Sequence, residues 1–297
     1  MILVTGSGGQ LGWELRRALA PLGPLTAVDL DQMPLQDTGA IRRTIRGLRP
    51  TLVVNAAAYT AVDRAEDEPD LALAVNGVAP AVIADEVRRL GGALVHYSTD
   101  YVFDGGKPGP YVEGDPPRPV SVYGGSKLAG EEGVRGAGVP HLILRTAWIY
   151  GARGRNFARS ILAAAAGGKP LRVVNDQHGA PTWCRMLAEA TALVLASTGA
   201  AQRPDALEDY GGTYHLTAAG DTTWFEFART ILERSPAPLC ERAPSLAPIA
   251  TGEYPARATR PRNSRLDCSK FRETFGFALP DWRESLDLVL EEIKEAR

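Results

Sequence analysis

The sequence predicts an α/β fold in which a doubly wound parallel sheet is followed by a smaller α+β C-terminal domain. Three observations support this prediction. Short apolar runs recur through the first half of the chain, as in strands that are buried on both faces. Longer amphipathic stretches separate these runs, which is typical of crossover helices. Beyond about residue 150 the alternation gives way to a less regular pattern.

Local patterns justify each element of the first half. The apolar, β-branched runs predict strands at 2–5, 25–29, 51–55, 93–98 and 141–149. Apolar residues at helical spacing predict helices at 10–20, 38–48, 69–89 and 121–135. The 69–89 stretch is either one helix with an early proline or two helices that meet near Pro80.

The second half contains fewer periodic segments. We predict helices at 156–166, 182–197, 223–234 and 280–297, and a short strand at 213–217 that returns to the sheet. Residues 235–265 are rich in Pro, Ala and Arg, and they suit either ordered loops or short strands over a site, or a flexible segment.

These elements suggest two domains. The expected cofactor domain spans 1–150, with 182–217 returning to it. The expected substrate domain combines 151–181 with 218–297.

Composition excludes several classes of protein. The 297 residues carry a net charge of −2 and are 44% hydrophobic, which argues against a basic nucleic-acid binder and against disorder. No apolar run is long enough for a spanning helix, and the first residues do not resemble a secretory signal. We therefore expect a cytoplasmic protein that binds neither nucleic acid nor membrane.

Cysteine and histidine give no sign of a metal or thiol site. The three cysteines are widely spaced, and the four histidines are isolated and form no HExxH motif. We therefore predict no zinc site, disulfide framework or cysteine nucleophile.

A glycine-rich turn follows the first strand. Gly6, Gly9 and Gly12 form GxxGxxG between a predicted strand and a predicted helix. In a Rossmann fold this pattern permits a tight turn, close approach of a pyrophosphate and close packing of helix on strand. A purely structural glycine turn is the alternative.

Asp29 ends the second predicted strand. A carboxylate at this place can bind the adenosine ribose and favours NADH. A solvated aspartate at the surface is the alternative.

A tyrosine and a lysine have the spacing needed for proton transfer. Tyr123 and Lys127 are four residues apart on a predicted helix and therefore share a face. A neighbouring ammonium is expected to lower the pKa of the tyrosine and to bind a ribose. Thr99 ends the fourth predicted strand, where its hydroxyl can orient a carbonyl. A packed tyrosine with an exposed lysine is the alternative.

These motifs resemble the extended short-chain dehydrogenase/reductases, and longer strings resemble the dTDP-4-dehydrorhamnose reductase family within them. The strings follow the family's order over nearly the whole chain: VTGSGGQLGWEL, VVNAAAYTAVDRAEDEP, STDYVFDG, VYGGSKLAGE, RTAWIYG, DQHGAPT and RPRNSRL. The resemblance implies NAD(P)H-dependent reduction of the C4 ketone of dTDP-4-dehydro-6-deoxy-L-mannose to dTDP-L-rhamnose. In it Tyr123 supplies the proton, Lys127 assists Tyr123, and Thr99 orients the carbonyl.

The resemblance also implies binding residues and partners. The implied cofactor contacts are Gly6, Gly9, Gln10, Leu11, Gly12, Asp29, Ala58, Tyr59, Thr60, Tyr123 and Lys127. The implied substrate contacts are Thr99, Asp100 and Trp148. Residues 33–37 depart from the family pattern at the adenine contact. The family favours NADPH, accepts NADH, forms homodimers and in some cases depends on Mg²⁺, for which we find no carboxylate site.

Arginines near the C-terminus suit a diphosphate. Arg260, Arg262 and Arg265 lie in the Pro-rich stretch, and we predict that at least one of them, Arg260 in particular, binds the nucleotide diphosphate. An arginine on a solvated loop is the alternative.

Two other functions remain open at this stage. A related sugar-nucleotide epimerase or dehydratase would retain its cofactor through the cycle, but Asp100-Tyr101 stands where a dehydratase needs an Asp-Glu pair. A non-catalytic subunit, of the type that regulates methionine adenosyltransferase, would have no need of Thr99, Tyr123 and Lys127.

Overall fold

A six-stranded parallel sheet forms the centre of the structure, a computed structural model that describes residues 1–168, 170–235 and 245–295. The strands are β1 (Ile2–Thr5), β2 (Leu25–Val28), β3 (Leu52–Asn55), β4 (Ala93–Thr99), β5 (His141–Thr146), β6 (Ile149–Tyr150), β7 (Leu171–Val174), β8 (His178–Gly179), β9 (Thr182–Trp183), β10 (Gly212–His215), β11 (Thr222–Thr223) and β12 (Leu246–Ile249). The order in the central sheet is β10-β5-β4-β3-β1-β2. The predicted doubly wound parallel sheet is confirmed, and its direction of winding reverses between β1 and β3.

Helices cover both faces of this sheet. The described α-helices, not all of which pack on this sheet, are α1 (Gln10–Leu19), α2 (Thr38–Leu48), α3 (Val62–Ala65), α4 (Pro69–Leu73), α5 (Ala79–Arg89), α6 (Val122–Ala137), α7 (Phe157–Ala166), α8 (Cys184–Ser197), α9 (Trp224–Arg234), α10 (Ser269–Phe275) and α11 (Trp282–Glu295). One apolar cluster fills the face under α1 and α8, and a second fills the face under α2, α5 and α6. In the part of the chain described, no helix has the length and apolar character needed to cross a bilayer.

The strand predicted at 213–217 does return to the sheet. β10 pairs in parallel with β5, and α8 packs on α1, so the second half of the chain completes the layers begun by the first. The assignment of whole segments to a cofactor domain and a substrate domain stays a prediction.

Several element boundaries differ from the predictions for local reasons. The strand predicted at 141–149 stops at Thr146, because Trp148 adopts a positive φ of 46°, and β6 follows separately. The 69–89 stretch is a continuous helical run in which a π-helical segment, Ala74–Val78, joins α4 to α5. Helix α8 begins at Cys184, since the two residues before it pair with β6.

Glycines in α6 bring this helix close to its neighbours. A Cβ at Gly124 would lie 2.2 Å from the carbonyl oxygen of Tyr101, and one at Gly130 would lie 2.1 Å from that of Asn76. Gly124 and Gly130 are therefore required by the packing of this helix. The helix ends at Ala137, two residues later than predicted, and is followed by Gly138 in the left-handed conformation.

The Pro-rich stretch is ordered where the structure describes it. β12 pairs in parallel with β7, and residues 257–266 run back across the molecule to contact α3 and β8. Residues 236–244 of the stretch lie outside the described residues. Helix α11 follows the prediction and buries its apolar face, which includes Trp282, Leu286 and Val289.

Candidate active site

A cavity of about 1010 Å³ opens at the carboxyl ends of the central strands. Such clefts are where open α/β sheets bind their ligands. Nearly all the residues predicted from sequence line it: Gly6, Gly9, Gln10, Leu11, Gly12, Asp29, Ala58, Tyr59, Thr60, Thr99, Asp100, Tyr123, Lys127 and Trp148. Arg260 does not appear in this lining. The fold thus gathers residues from six separate stretches of sequence around one space.

The glycine turn has the close contacts that its spacing predicts. Gly6 has a φ of +68°, and a Cβ there would lie 2.7 Å from Cα of Ala57. A Cβ at Gly12 would lie 2.0 Å from the carbonyl oxygen of Gly6. Gly9 is the N-cap of α1, and no side chain caps that end. The N–H groups of the first turn of α1 therefore face the cavity, where they favour an anionic ligand.

Asp29 lies at the rim of the cavity beside this turn. Its carboxylate accepts hydrogen bonds from the backbone N–H of Gly8 at 2.6 Å and of Leu30 at 2.8 Å. The backbone N–H of Asp29 in turn donates to the side-chain oxygen of Gln32. These bonds fix the carboxylate at the end of β2, where it can bind a ribose hydroxyl.

Tyr123, Lys127 and Thr99 meet on one wall. Ser121 caps α6 by accepting from the backbone N–H of Gly124 at 3.1 Å, so that Tyr123 and Lys127 occupy its first turns. Nζ of Lys127 donates to the carbonyl oxygen of Tyr97 at 2.7 Å. Thr99 donates to Asp100 at 2.9 Å and accepts from the backbone N–H of Tyr101 at 3.1 Å.

Burial dominates the electrostatics of this wall. It raises the pKa of Tyr123 to about 12, against a smaller lowering by a hydrogen bond to Thr99. It lowers the pKa of Lys127 to about 8, against the opposing field of Glu131. The predicted lowering of the pKa of Tyr123 is therefore wrong for this structure, because loss of solvent outweighs the hydrogen bond to Thr99. Tyr123 holds its proton at neutral pH and is suited to act as an acid.

A buried carboxyl and a buried hydroxyl face the same space. Asp100 is 2% exposed, and burial raises its pKa to about 6 although hydrogen bonds to Ser264 and Thr99 oppose the rise. Thr146 ends β5 beside Thr99, and its hydroxyl has no hydrogen-bond partner within the described residues. Thr146 was not predicted as a site residue. These two groups suit a ligand that carries hydroxyls.

Two stacked indoles form another wall. The rings of Trp148 and Trp224 are parallel to within 7°, with centroids 3.5 Å apart. Trp148 has a positive φ, which is strained for a bulky residue. A Cβ at Gly179 would lie 2.5 Å from its ring, so that only glycine fits behind it. Sequence reasoning identified Trp148 but missed Trp224, because the start of a helix gives no sign of which ring it will contact.

Asn76 is another residue that sequence reasoning missed. Its amide accepts from the backbone N–H of Tyr59 at 2.8 Å and donates to the carbonyl of Tyr59 at 2.9 Å. It also donates to the hydroxyl of Ser126 at 3.1 Å. Asn76, which lies in the π-helical segment, therefore connects the cavity loop at Tyr59 to α6.

Two of the predicted diphosphate arginines, Arg260 and Arg265, have partners within the chain. Arg260 pairs with Asp63 at 2.7 Å and lowers the pKa of that carboxyl. Arg265 donates to Asn263 and to the carbonyl of Pro108. Arg260 does not itself line the cavity, but its side chain is hydrogen-bonded to Tyr101, which does, and its role with a diphosphate stays a prediction. Within the described ranges no three His, Cys, Asp or Glu side chains group as metal ligands.

The fold and this wall define a class, the short-chain dehydrogenase/reductases, whose tyrosine and lysine lie one turn apart beside a dinucleotide cleft. Residues 1–295 match the model of the RmlD substrate binding domain family. The chain belongs to this family, that of the dTDP-4-dehydrorhamnose reductases, and is an oxidoreductase.

Individual relatives agree with this membership. The chain is 44% identical to a dTDP-4-dehydrorhamnose reductase of Burkholderia thailandensis, over 98% of both chains. It is 42% identical to one from Escherichia coli, over 98% of this chain and 97% of that protein. A crystal structure of such a reductase from Clostridium acetobutylicum has a TM-score of 0.89 at 33% identity, covering 99% of both chains.

A second crystal structure bears on the cofactor. The reductase from Bacillus anthracis, solved in complex with NADP, has a TM-score of 0.87 at 31% identity and covers 98% of both chains. A UDP-glucose 4-epimerase of Thermus thermophilus has a TM-score of 0.79 at 23% identity, a similarity of fold alone.

Proposed function

We propose that this protein reduces the C4 ketone of dTDP-4-dehydro-6-deoxy-L-mannose with NADPH and forms dTDP-L-rhamnose. The observation that carries the proposal is the meeting of Thr99, Tyr123 and Lys127 on one wall of a cavity that also contains the glycine turn. Membership of the reductase family supports the same substrate.

The residues present fit a dinucleotide. The uncapped start of α1 suits a pyrophosphate, Asp29 suits the adenosine ribose, and the ammonium of Lys127 is buried one helical turn from Tyr123. When bound, NADPH supplies the hydride that adds to C4. Asp29 has no arginine near it in sequence, so we expect NADH to be accepted as well, and comparison of kcat/KM for the two cofactors tests this.

The chain's own residues then complete the reduction. As negative charge develops on the carbonyl oxygen, Tyr123 donates its phenolic proton to that oxygen. Lys127 stabilises the resulting phenolate until a proton from solvent restores the hydroxyl. Thr99 orients the carbonyl, while Asp100, Thr146 and Trp148 suit the hydroxyls and apolar face of the sugar.

Three further expectations belong with this proposal. We propose that the chain divides into the cofactor and substrate domains set out above, that it forms a homodimer as its family does, and that it acts in the cytoplasm. A requirement for Mg²⁺ is tested by assay after chelation.

The deciding experiment follows NADPH oxidation with the dTDP-keto sugar, beside its UDP and GDP analogues. Stoichiometric formation of dTDP-L-rhamnose supports the proposal. Turnover without added reductant by protein that retains NAD⁺ would identify an epimerase or dehydratase instead. Cofactor binding without turnover of any keto sugar would identify a regulatory subunit.

A further inference from the structure

A buried ion pair joins α6 to the two strands that end at the catalytic wall. Glu131 on α6 is 0% exposed, and Arg145 on β5 is 2% exposed. Nε and Nη2 of Arg145 donate to the two carboxylate oxygens of Glu131 at 2.8 and 2.7 Å. The hydroxyl of Ser98 on β4 donates to the same carboxylate at 2.5 Å. Three elements therefore converge on one buried carboxylate.

The position of this carboxylate relates it to catalysis. Glu131 lies one helical turn beyond Lys127 and two turns beyond Tyr123 on the same helix. Ser98 immediately precedes Thr99, and it stands opposite Arg145 in the register of the sheet. The network therefore ties the helix that carries the acid to the strand that carries Thr99.

Stability alone gives a weak reason for such a pair. Taking two charges out of water offsets most of their mutual attraction, and well-packed apolar side chains often stabilise a protein as much. The bidentate geometry does fix one relative position of helix and strands. A role in the reaction would explain why an ion pair, and not a pair of apolar side chains, occupies positions 131 and 145.

We propose that Glu131 is a positioning residue for the reduction, holding α6 against the ends of β4 and β5 and maintaining the ammonium form of Lys127. This inference rests on the proposed function. Glu131 acts through Lys127 and Tyr123, because it does not line the cavity itself.

The charges around Lys127 support this assignment. On α6, burial lowers the pKa of Lys127 and Glu131 raises it, while Tyr123, with a pKa raised to about 12 by burial, is neutral at the pH values at which Lys127 titrates. On β4, the carbonyl of Tyr97 accepts from Nζ, and burial holds the pKa of His96 well below its usual range, so that this imidazole is neutral. Glu131 is thus the acidic group that favours protonated Lys127.

The charges around Glu131 keep it ionised. Burial raises the pKa of Glu131, but Arg145 from β5, Ser98 from β4 and Arg135 from its own helix together lower it below its ordinary value. From β10, His215 is neutral because burial lowers its pKa to about 3. The carboxylate is therefore negative over the whole range in which Lys127 titrates.

The first test is the pH dependence of kcat/KM for Glu131→Gln. We expect the alkaline limb to move to lower pH by about one unit, which lowers kcat/KM about 2-fold at pH 7 and about 8-fold at pH 8.5. Glu131→Asp keeps the charge and should restore most of the wild-type pH profile. Glu132→Gln, at the exposed neighbouring position, is the matched control and should leave the profile unchanged. A wild-type profile in folded Glu131→Gln protein would overturn the inference.

A second measurement does not depend on the sugar. Only five lysines occur in the chain, so the ¹³Cε signal of Lys127 can be assigned in lysine-labelled protein by loss of one peak in Lys127→Met. Its titration midpoint should fall in Glu131→Gln and not in Glu132→Gln. An unchanged midpoint would refute the role of Glu131, whereas inactivity of the wild type on the keto sugar would refute only the proposed function.

Glu131→Gln leaves Arg145 as a buried unpaired charge and is liable to unfold. The double variant Glu131→Gln/Arg145→Met removes both charges and keeps the apolar stem of the arginine over the ring of Phe103, which its guanidinium now faces at 5.1 Å. We expect this variant to fold and to show the lowered Lys127 midpoint. A double variant with wild-type pH profile and midpoint would overturn the inference.

Discussion

Replacing Tyr123 with Phe removes one oxygen from the wall that carries the chemistry. The pKa of about 12 means that the wild-type phenol is fully protonated at pH 7, as the proton source that we propose for the carbonyl oxygen must be. Thr99 is not a ready substitute, because its own proton is donated to Asp100. We expect kcat to fall by about 10²- to 10⁴-fold, the range for loss of a general acid. That range corresponds to about 3 to 5 kcal/mol of activation free energy.

The assay compares single-turnover rates at saturating NADPH with NADPH affinity measured by fluorescence. Tyr123→Phe should bind the cofactor nearly as the wild type does, because the ring and its edge-to-face contact with Tyr101 remain. Tyr254→Phe is the control, since Tyr254 is 48% exposed and lies away from the cavity. A Tyr123→Phe rate within about 3-fold of the wild type would refute the assignment of the acid.

Three further changes test other parts of the site. Gly12→Ala places a Cβ 2.0 Å from the carbonyl oxygen of Gly6, so NADPH should bind at least about 10-fold more weakly by fluorescence titration; unaltered affinity would contradict the role of the turn. Gly179→Ala places a Cβ against the indole of Trp148, and we expect kcat/KM for the sugar nucleotide to fall about 10-fold or more while the affinity for NADPH is unchanged. A parallel loss of kcat/KM and of NADPH affinity would argue against a wall that contacts only the sugar. Asp100→Asn should stabilise the protein. The folded-state pKa of Asp100, about 6, lies above its ordinary value of 3.8, so its contribution to stability is present below pH 4 and is lost as the pH rises to 6. Denaturant unfolding at pH 8 should show a gain of up to about 3 kcal/mol that disappears at pH 4; an equal gain at both values would point to a cause other than ionisation.

The sheet and the pairing of Tyr123 with Lys127 could be predicted because local signals encode them. β1, β3 and the first half of β4 are buried on both faces, so their sequences are mostly apolar. Tyr123 and Lys127 share a helical face whatever surrounds that helix. The strand at β10 was also recognisable, although its partner β5 lies far away in sequence.

Properties set by distant contacts could not be predicted in this way. The pKa of Tyr123 depends on how completely the fold removes water from its ring. Trp224 lies at the site because its ring stacks on that of Trp148, which is far away in sequence and has a positive φ. The pairing of Arg260 with Asp63 could not be predicted, because the two residues are 197 positions apart in the sequence.

The late return of the chain to the central sheet bears on how the protein is made. β5 has a free edge until β10 has been synthesised, and α1 is without its packing partner until α8 has been synthesised. A nascent chain that ends near residue 150 therefore exposes an unpaired strand and the apolar side of its first helix, both of which promote aggregation. We therefore expect the cleft between these elements to form only after most of the chain has been synthesised. Contacts between residues that are far apart in sequence form slowly, and the cleft depends on them.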